Sequence, residues 1–266
     1  MQKKIQELNQ NLVANNHKDV SLNPTELAVL QSLRKHLESA GATKTSQAVT
    51  GGLDLAIKLT TSWPYSDRLP GLDLLRLLAV APMTATYTHP RGGNIIDILE
   101  ASVTENQPPA ENNVMMAIRA FANLFESKEG RDLAFQEFEK IQTLTSTAVN
   151  SGSSNRNLLV AATTLYINYA VLFHSEQQAS ESASSFEYAI ALLDTLSSKV
   201  LSSQKDSEVL YRALIATGTL LLLGDEVKSA AKDVYAIEKS ITTALGKAGS
   251  DPRIKNVTAE IRALLK

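Results

Sequence analysis

Ala117-Ile118-Arg119-Ala120-Phe121-Ala122-Asn123-Leu124-Phe125 reads as a helix with two working faces. Ile118, Phe121, Ala122 and Phe125 recur at helical spacing and form an apolar stripe that needs a core to cover it. Arg119 and Asn123 are four residues apart and therefore stand together on another face. An arginine beside an amide, repeated from helix to helix, suits a surface that holds the carboxylates and backbone of a peptide. The fold turns on whether the chain repeats the pattern.

Working outward, four helical stretches share a phase. Arg76, Arg119, Thr164 and Arg212 each follow a similar apolar entry, at separations of 43, 45 and 48 residues. Asn123 and Asn168 stand four residues beyond the second and third of them. A period in the forties built from helices alone is the mark of armadillo and HEAT arrays, in which each unit buries its face against the next. One helix per repeat then lines the concave side, where arginines and asparagines at fixed phase would point.

The rest of the chain supports helices throughout. Ile5, Leu8, Leu12 and Val13 suggest a short helix or a loose arm before Asn15-Asn16-His17. Asn23-Pro24-Thr25-Glu26 combines a cap residue, proline at the first helical position and glutamate three after the cap. That helix is expected to run to about Ser39, with Gly41 ending it. Further helices are expected over 53–59, 72–78 and 94–102, then from Gly130 through Phe138 to Leu144. Others cover 157–173, 186–201 and 206–223, with one or two more to the C-terminus, broken near Gly249-Ser250-Asp251-Pro252. About ten to thirteen helices and no alternating strand are predicted.

Bulk composition narrows the chemistry. The 266 residues carry 26 basic and 28 acidic side chains and a formal net charge of -2, so no overall basic field recruits nucleic acid. The absence of cysteine removes disulfides, thiolate catalysis and cysteine-based zinc sites. The N-terminal residues are too polar for a signal peptide. The longest weakly polar run, about 213–224, is too short to span a bilayer. His17, His36, His89 and His174 are scattered without metal-ligand spacing, and no phosphate-binding loop, nucleophile elbow or zinc-protease motif is present. Neither catalysis, a cofactor nor a metal is expected.

Particular segments carry a family resemblance. Trp63-Pro64, then Leu69-Pro70-Gly71-Leu72-Asp73-Leu74-Leu75-Arg76-Leu77, is similar to a signature of the PUL family. Ala117 to Phe121 with Asn123 and Phe125, Ser151-Gly152-Ser153 with Asn155 and Asn157, Ala162 to Leu165 with Asn168 to Val171, and Tyr211 to Ala216 with Gly218 to Leu220 follow in the family's order. The connector around Met83–Gly93 departs from it. The resemblance covers about residues 24–266, so residues 1–22 are expected to be a separate helix or arm and 23–266 the armadillo-like domain. It implies an all-α, armadillo/HEAT-like superhelix with a concave basic groove. That groove would bind the acidic, aromatic-containing C-terminal tail of the AAA ATPase valosin-containing protein, in the ubiquitin–proteasome pathway. The expected setting is the cytoplasm and nucleus, as a monomer that contacts neither nucleic acid nor membrane. Longer relatives also carry ubiquitin-binding, peptidase or thioredoxin domains, and direct ubiquitin binding does not carry over to these residues.

The peptide-binding candidates are Arg76, Arg119, Asn123, Asn157, Asn168 and Arg212. Each has a plainer role open to it. The arginines could pair with a neighbouring carboxylate such as Asp73 or Glu208, and the asparagines could hold backbone groups of adjacent helices or loops. Trp63 and Tyr169 read as core, Gly218 as a close helix approach, and Gly51-Gly52 as a helix break. Two other readings stay open at this stage: a scaffold packing against other domains of a larger parent, and a nucleic-acid-binding array.

Overall fold

The structure, a computed structural model, describes residues 1–40, 49–90, 92–150, 155–179, 183–248 and 251–266. These residues form fifteen α-helices and no strand. They divide into two compact units, Met1–Glu137 and Phe138–Lys266.

The first unit begins with α1 (Gln2–Ala14), whose Ile5, Leu8 and Leu12 are buried against α2 (Pro24–Ala40) and a later helix, α4 (Leu69–Leu78). The N-terminal stretch is therefore a docked helix. Asn9 fastens it by accepting from the Leu22 N–H at 2.6 Å. Asn23 and Glu26 form the expected reciprocal cap at the start of α2, each side chain meeting the other's main-chain N–H. Gly51 sits at φ 74° before α3 (Gly52–Thr61), where a left-handed backbone favours glycine and separates the helices.

A single 3-10 turn, Tyr65–Asp67, leads into α4. Gly71 lets α4 lie directly on α3, since a Cβ there would stand 2.8 Å from the Leu59 carbonyl carbon. Trp63 is buried and donates from Nε1 to the Val20 carbonyl at 3.1 Å. Short α5 (Pro82–Ala85) precedes α6 (Ile95–Thr104), α7 (Glu111–Leu124) and α8 (Lys128–Gln136). Ile118 and Phe121 of α7 are fully buried, and α7 packs on α4 and α6.

The second unit contains α9 (Phe138–Asn150), α10 (Arg156–Ala179) and α11 (Ala183–Thr195). After α11 the chain widens into a π-helical stretch, Leu196–Leu201. Then follow α12 (Ser207–Leu221), α13 (Asp225–Asp233), α14 (Ile237–Lys247) and α15 (Pro252–Leu264). α12 lies between α10 and α15, and Gly218 permits the second approach, with Ile261 only 3.3 Å from where a Cβ would be. Phe138 meets Tyr169 edge-on at 5.0 Å and stacks on Tyr188 at 4.3 Å, so an aromatic knot fixes α9 and α10.

Several expectations need correction. The stretch from Gly130 to Leu144 is not one helix: it breaks at Glu137, where ψ turns to 21°, and the two units meet in sequence there. Three helices, not one or two, follow α12, because Ala236 adopts a left-handed φ of 46° and restarts the chain as α14. α10 is long and apolar enough to cross a membrane over Arg156–Glu176, which the expected limit at 213–224 overlooked. Scattered threonines, tyrosines and Asn168 disguise the run, and 61% of that window is buried inside the protein. The ending of α2 at Gly41, the turn at Ser151-Gly152-Ser153 and the break at Gly249-Ser250 lie outside the described residues.

Candidate functional site

The phased positions form two separate sets, one in each unit. In the first, Arg76 lies in the last turn of α4 and turns its guanidinium on Asp73, with Nε and Nη2 2.8 and 2.7 Å from the same carboxylate oxygen. The main-chain carbonyl of Arg76 is one that a helix leaves without an internal partner near its C-terminus. Asn123 fills that vacancy, its Nδ2 donating to the Arg76 carbonyl at 2.7 Å and tying α7 to α4. The bond spans 47 residues and joins adjacent rungs of the predicted ladder. The Asn123 Oδ1 keeps no partner among the described residues and can accept an N–H.

Arg119 stands one turn before Asn123 on α7. It is half-buried and makes no hydrogen bond or ion pair among the described residues. Packing holds its stem while its guanidinium stays uncommitted.

In the second unit, Arg212 of α12 is committed. Its Nε donates to Glu208 at 2.8 Å, one turn earlier, and its Nη1 donates to the Thr164 hydroxyl of α10 at 2.9 Å. The arginine thus performs the cross-helix tie that an asparagine performs in the first unit. Asn168 lies half-buried one turn beyond Thr164. Asn157 is exposed in the first turn of α10 rather than before it, and its N–H donates to Asn155 Oδ1 at 3.1 Å, which makes Asn155 the cap.

Sequence reading named Glu208 as a possible partner of Arg212 but missed the rest of the network around it. Glu208 also accepts from Arg253 Nη1 of α15 at 3.0 Å. Arg253 is gripped in turn by Asp251 at 2.9 Å and lies over the Tyr211 ring, 4.7 Å from its centroid. Arg156 of α10 holds Asp206, the residue that caps α12, at 2.8 Å. Three arginines and three carboxylates therefore neutralise one another at the N-terminal ends of α10, α12 and α15. The hydrogen bond from Arg253, joined by that from Arg212, holds the Glu208 carboxyl below the usual range. Arg253 does the same for Asp251. At Asp206 desolvation works the other way, but the Val209 N–H and Arg156 outweigh it and the carboxyl is again lowered. Asp251, read in the sequence only as part of a break, caps α15 with proline at its first turn.

No group of three His, Asp or Glu side chains among the described residues could hold a metal ion. The arrangement offers cations, amides and main-chain ties. An arginine fork can engage a carboxylate at two points, and an amide can bond to a backbone.

A family model described as "PUL domain" matches residues 1–260. The chain is 26% identical over 242 residues to the ubiquitin homeostasis protein lub1 of Schizosaccharomyces pombe, covering 91% of this chain and 32% of that protein. It is 27% identical over 179 residues to the phospholipase A-2-activating protein of Xenopus laevis, covering 65% of this chain and 21% of that one. The chain therefore spans about a third or less of the curated relatives it matches.

Proposed function

The chain belongs to the PUL domain family, and on that premise we propose that it is a non-catalytic adaptor module for an acidic C-terminal peptide. The peptide is the tail of a valosin-containing-protein-type AAA ATPase, and the setting is ubiquitin homeostasis, the role in the name of the fission-yeast relative. In this reading the helices form an armadillo-type array with a basic groove. Arg76, Arg119, Asn123, Asn157, Asn168 and Arg212 are its peptide-binding residues.

One observation on the molecule carries the reading: Arg119 is a half-buried cation with no carboxylate partner among the described residues. A half-buried guanidinium left unpaired gives up hydration without compensation, which an incoming carboxylate restores. Asn123 supports it one turn away, with its amide fixed by the Arg76 carbonyl and its oxygen available to a peptide N–H.

Calorimetry with a synthetic tail peptide tests the proposal. Binding is expected for the unaltered protein, with clear loss in Arg119→Asp and Arg212→Asp. Unchanged affinity in both variants would sink the assignment. A second reading, a scaffold that packs on other domains of a larger parent, draws on the exposed Val171, Leu222 and Val234 of the second unit. Under that reading the isolated chain binds no tail peptide and associates with the parent's other domains.

A further inference from the structure

The carboxylate at position 208 has a role that the peptide-binding reading alone does not give it. Glu208 Oε1 accepts from Arg212 and Oε2 accepts from Arg253, so one anion is divided between two cations on different helices. Its side chain is 24% exposed, which leaves the pair only partly screened. Arg212 still has Nη2 without a partner among the described residues, beside an Nη1 that spends one hydrogen on Thr164. That edge of the guanidinium can take a ligand carboxylate while Nε stays on Glu208. The ligand carboxylate then sits within a few ångströms of Glu208 and is repelled by it.

Arg253 moderates this repulsion. Asp251 and the Tyr211 ring hold its guanidinium against Glu208 Oε2, where its charge offsets part of the Glu208 charge while Oε1 stays on Arg212. We infer that Glu208 is a built-in attenuator of acidic-peptide binding at Arg212, and that Arg253 is a positioning residue that limits the attenuation. The inference rests on the functional reading above. It concerns affinity: a carboxylate seated on the Nη edge is held at the cost of a nearby like charge.

The test is a double-mutant cycle on Glu208→Gln and Arg253→Gln, read by calorimetry with the synthetic tail peptide. Glutamine keeps an acceptor for Arg212 Nε while removing the charge. Glu208→Gln is expected to tighten binding by about three- to tenfold, as expected for removing one nearby like charge at the protein surface. Arg253→Gln is expected to weaken it by about two- to threefold in the native background and to have no effect in the Glu208→Gln background. Equal weakening in both backgrounds would show that Arg253 acts only through the general field, and would overturn its positioning role. If Glu208→Gln leaves affinity unchanged while Arg119→Asp still abolishes it, the attenuator fails and the peptide-binding reading stands. If the unaltered protein binds no peptide, both fall. Thermal melts of each variant separate loss of binding from loss of fold, and Asp251 still caps α15 through the residue-253 N–H in every variant.

Discussion

The two units place similar residues at the same helical phase and use them in opposite ways. In the first, an amide makes the tie between helices: Asn123 reaches the Arg76 carbonyl, and Arg119 is left without a partner among the described residues. In the second, the arginine makes the tie: Arg212 reaches Thr164 and is further occupied by Glu208. A cation that braces helices has less to offer a ligand than one braced only by packing around its stem. Equivalent spacing therefore does not mean equivalent use, and under the proposed reading the first unit would hold the stronger anion site.

The largest expected effect tests that ranking directly. Arg119→Gln should lower tail-peptide affinity by about tenfold, near 1.4 kcal/mol, while leaving stability within about 0.5 kcal/mol. Arg212→Gln should lower affinity by only about threefold and cost about 1 kcal/mol of stability, because its bonds to Thr164 and Glu208 are lost. Calorimetry and urea unfolding read the two quantities separately, and a larger affinity loss at Arg212 would reverse the comparison.

Next in size is Asn123→Ala, which orphans the Arg76 carbonyl at the end of α4. A stability loss of about 1 kcal/mol is expected, seen as a lower urea midpoint at unchanged slope. Thr164→Val, which removes the hydroxyl acceptor from Arg212 at nearly the same volume, should cost about 0.5 kcal/mol, since that bond is part-buried and Glu208 still holds Nε. If the two losses came out equal, the ties would be equivalent after all.

The smallest effect is a pH dependence particular to the second unit's charge network. The Glu208 carboxyl is lowered in the folded protein, chiefly by the bond from Arg253. A lowered folded value means that the stabilisation is present above the unfolded carboxylate range, about 4.3, and is lost as the pH falls through the folded value. The stability difference between the unaltered protein and Glu208→Gln should therefore be constant from pH 7 to about 5, shrink as the pH falls through the unfolded range, and vanish only below the folded value. Urea titrations at stepped pH would show it, and a gap that does not shrink between pH 5 and pH 3 would contradict the assignment.

Much of this was legible in the sequence because it is local. The Asn23–Glu26 cap, the glycine before α3 and the apolar stripe of α7 depend on neighbours a few residues away. The phase shared by Arg76, Arg119, Thr164 and Arg212 was also visible, and it joined Asn123 to α4 and Arg212 to α10. What each rung would do with its side chains was not. Whether an asparagine meets a carbonyl or an arginine meets a hydroxyl depends on the approach of helices nearly fifty residues apart. The break at Glu137 was hidden for a related reason. Phe135 and Phe138 keep helical spacing across it, so periodicity alone cannot tell one helix from two.

Trp63 adds a practical consequence. It is the sole tryptophan of the chain, and it is buried in the first unit with its indole N–H bonded to the Val20 carbonyl. Intrinsic tryptophan emission is therefore an optical reporter of one half of the molecule, whereas far-ultraviolet circular dichroism sums the helices of both. Coincident denaturation curves from the two signals would mean one cooperative transition, and separated curves would assign the emission change to the half that carries Arg119.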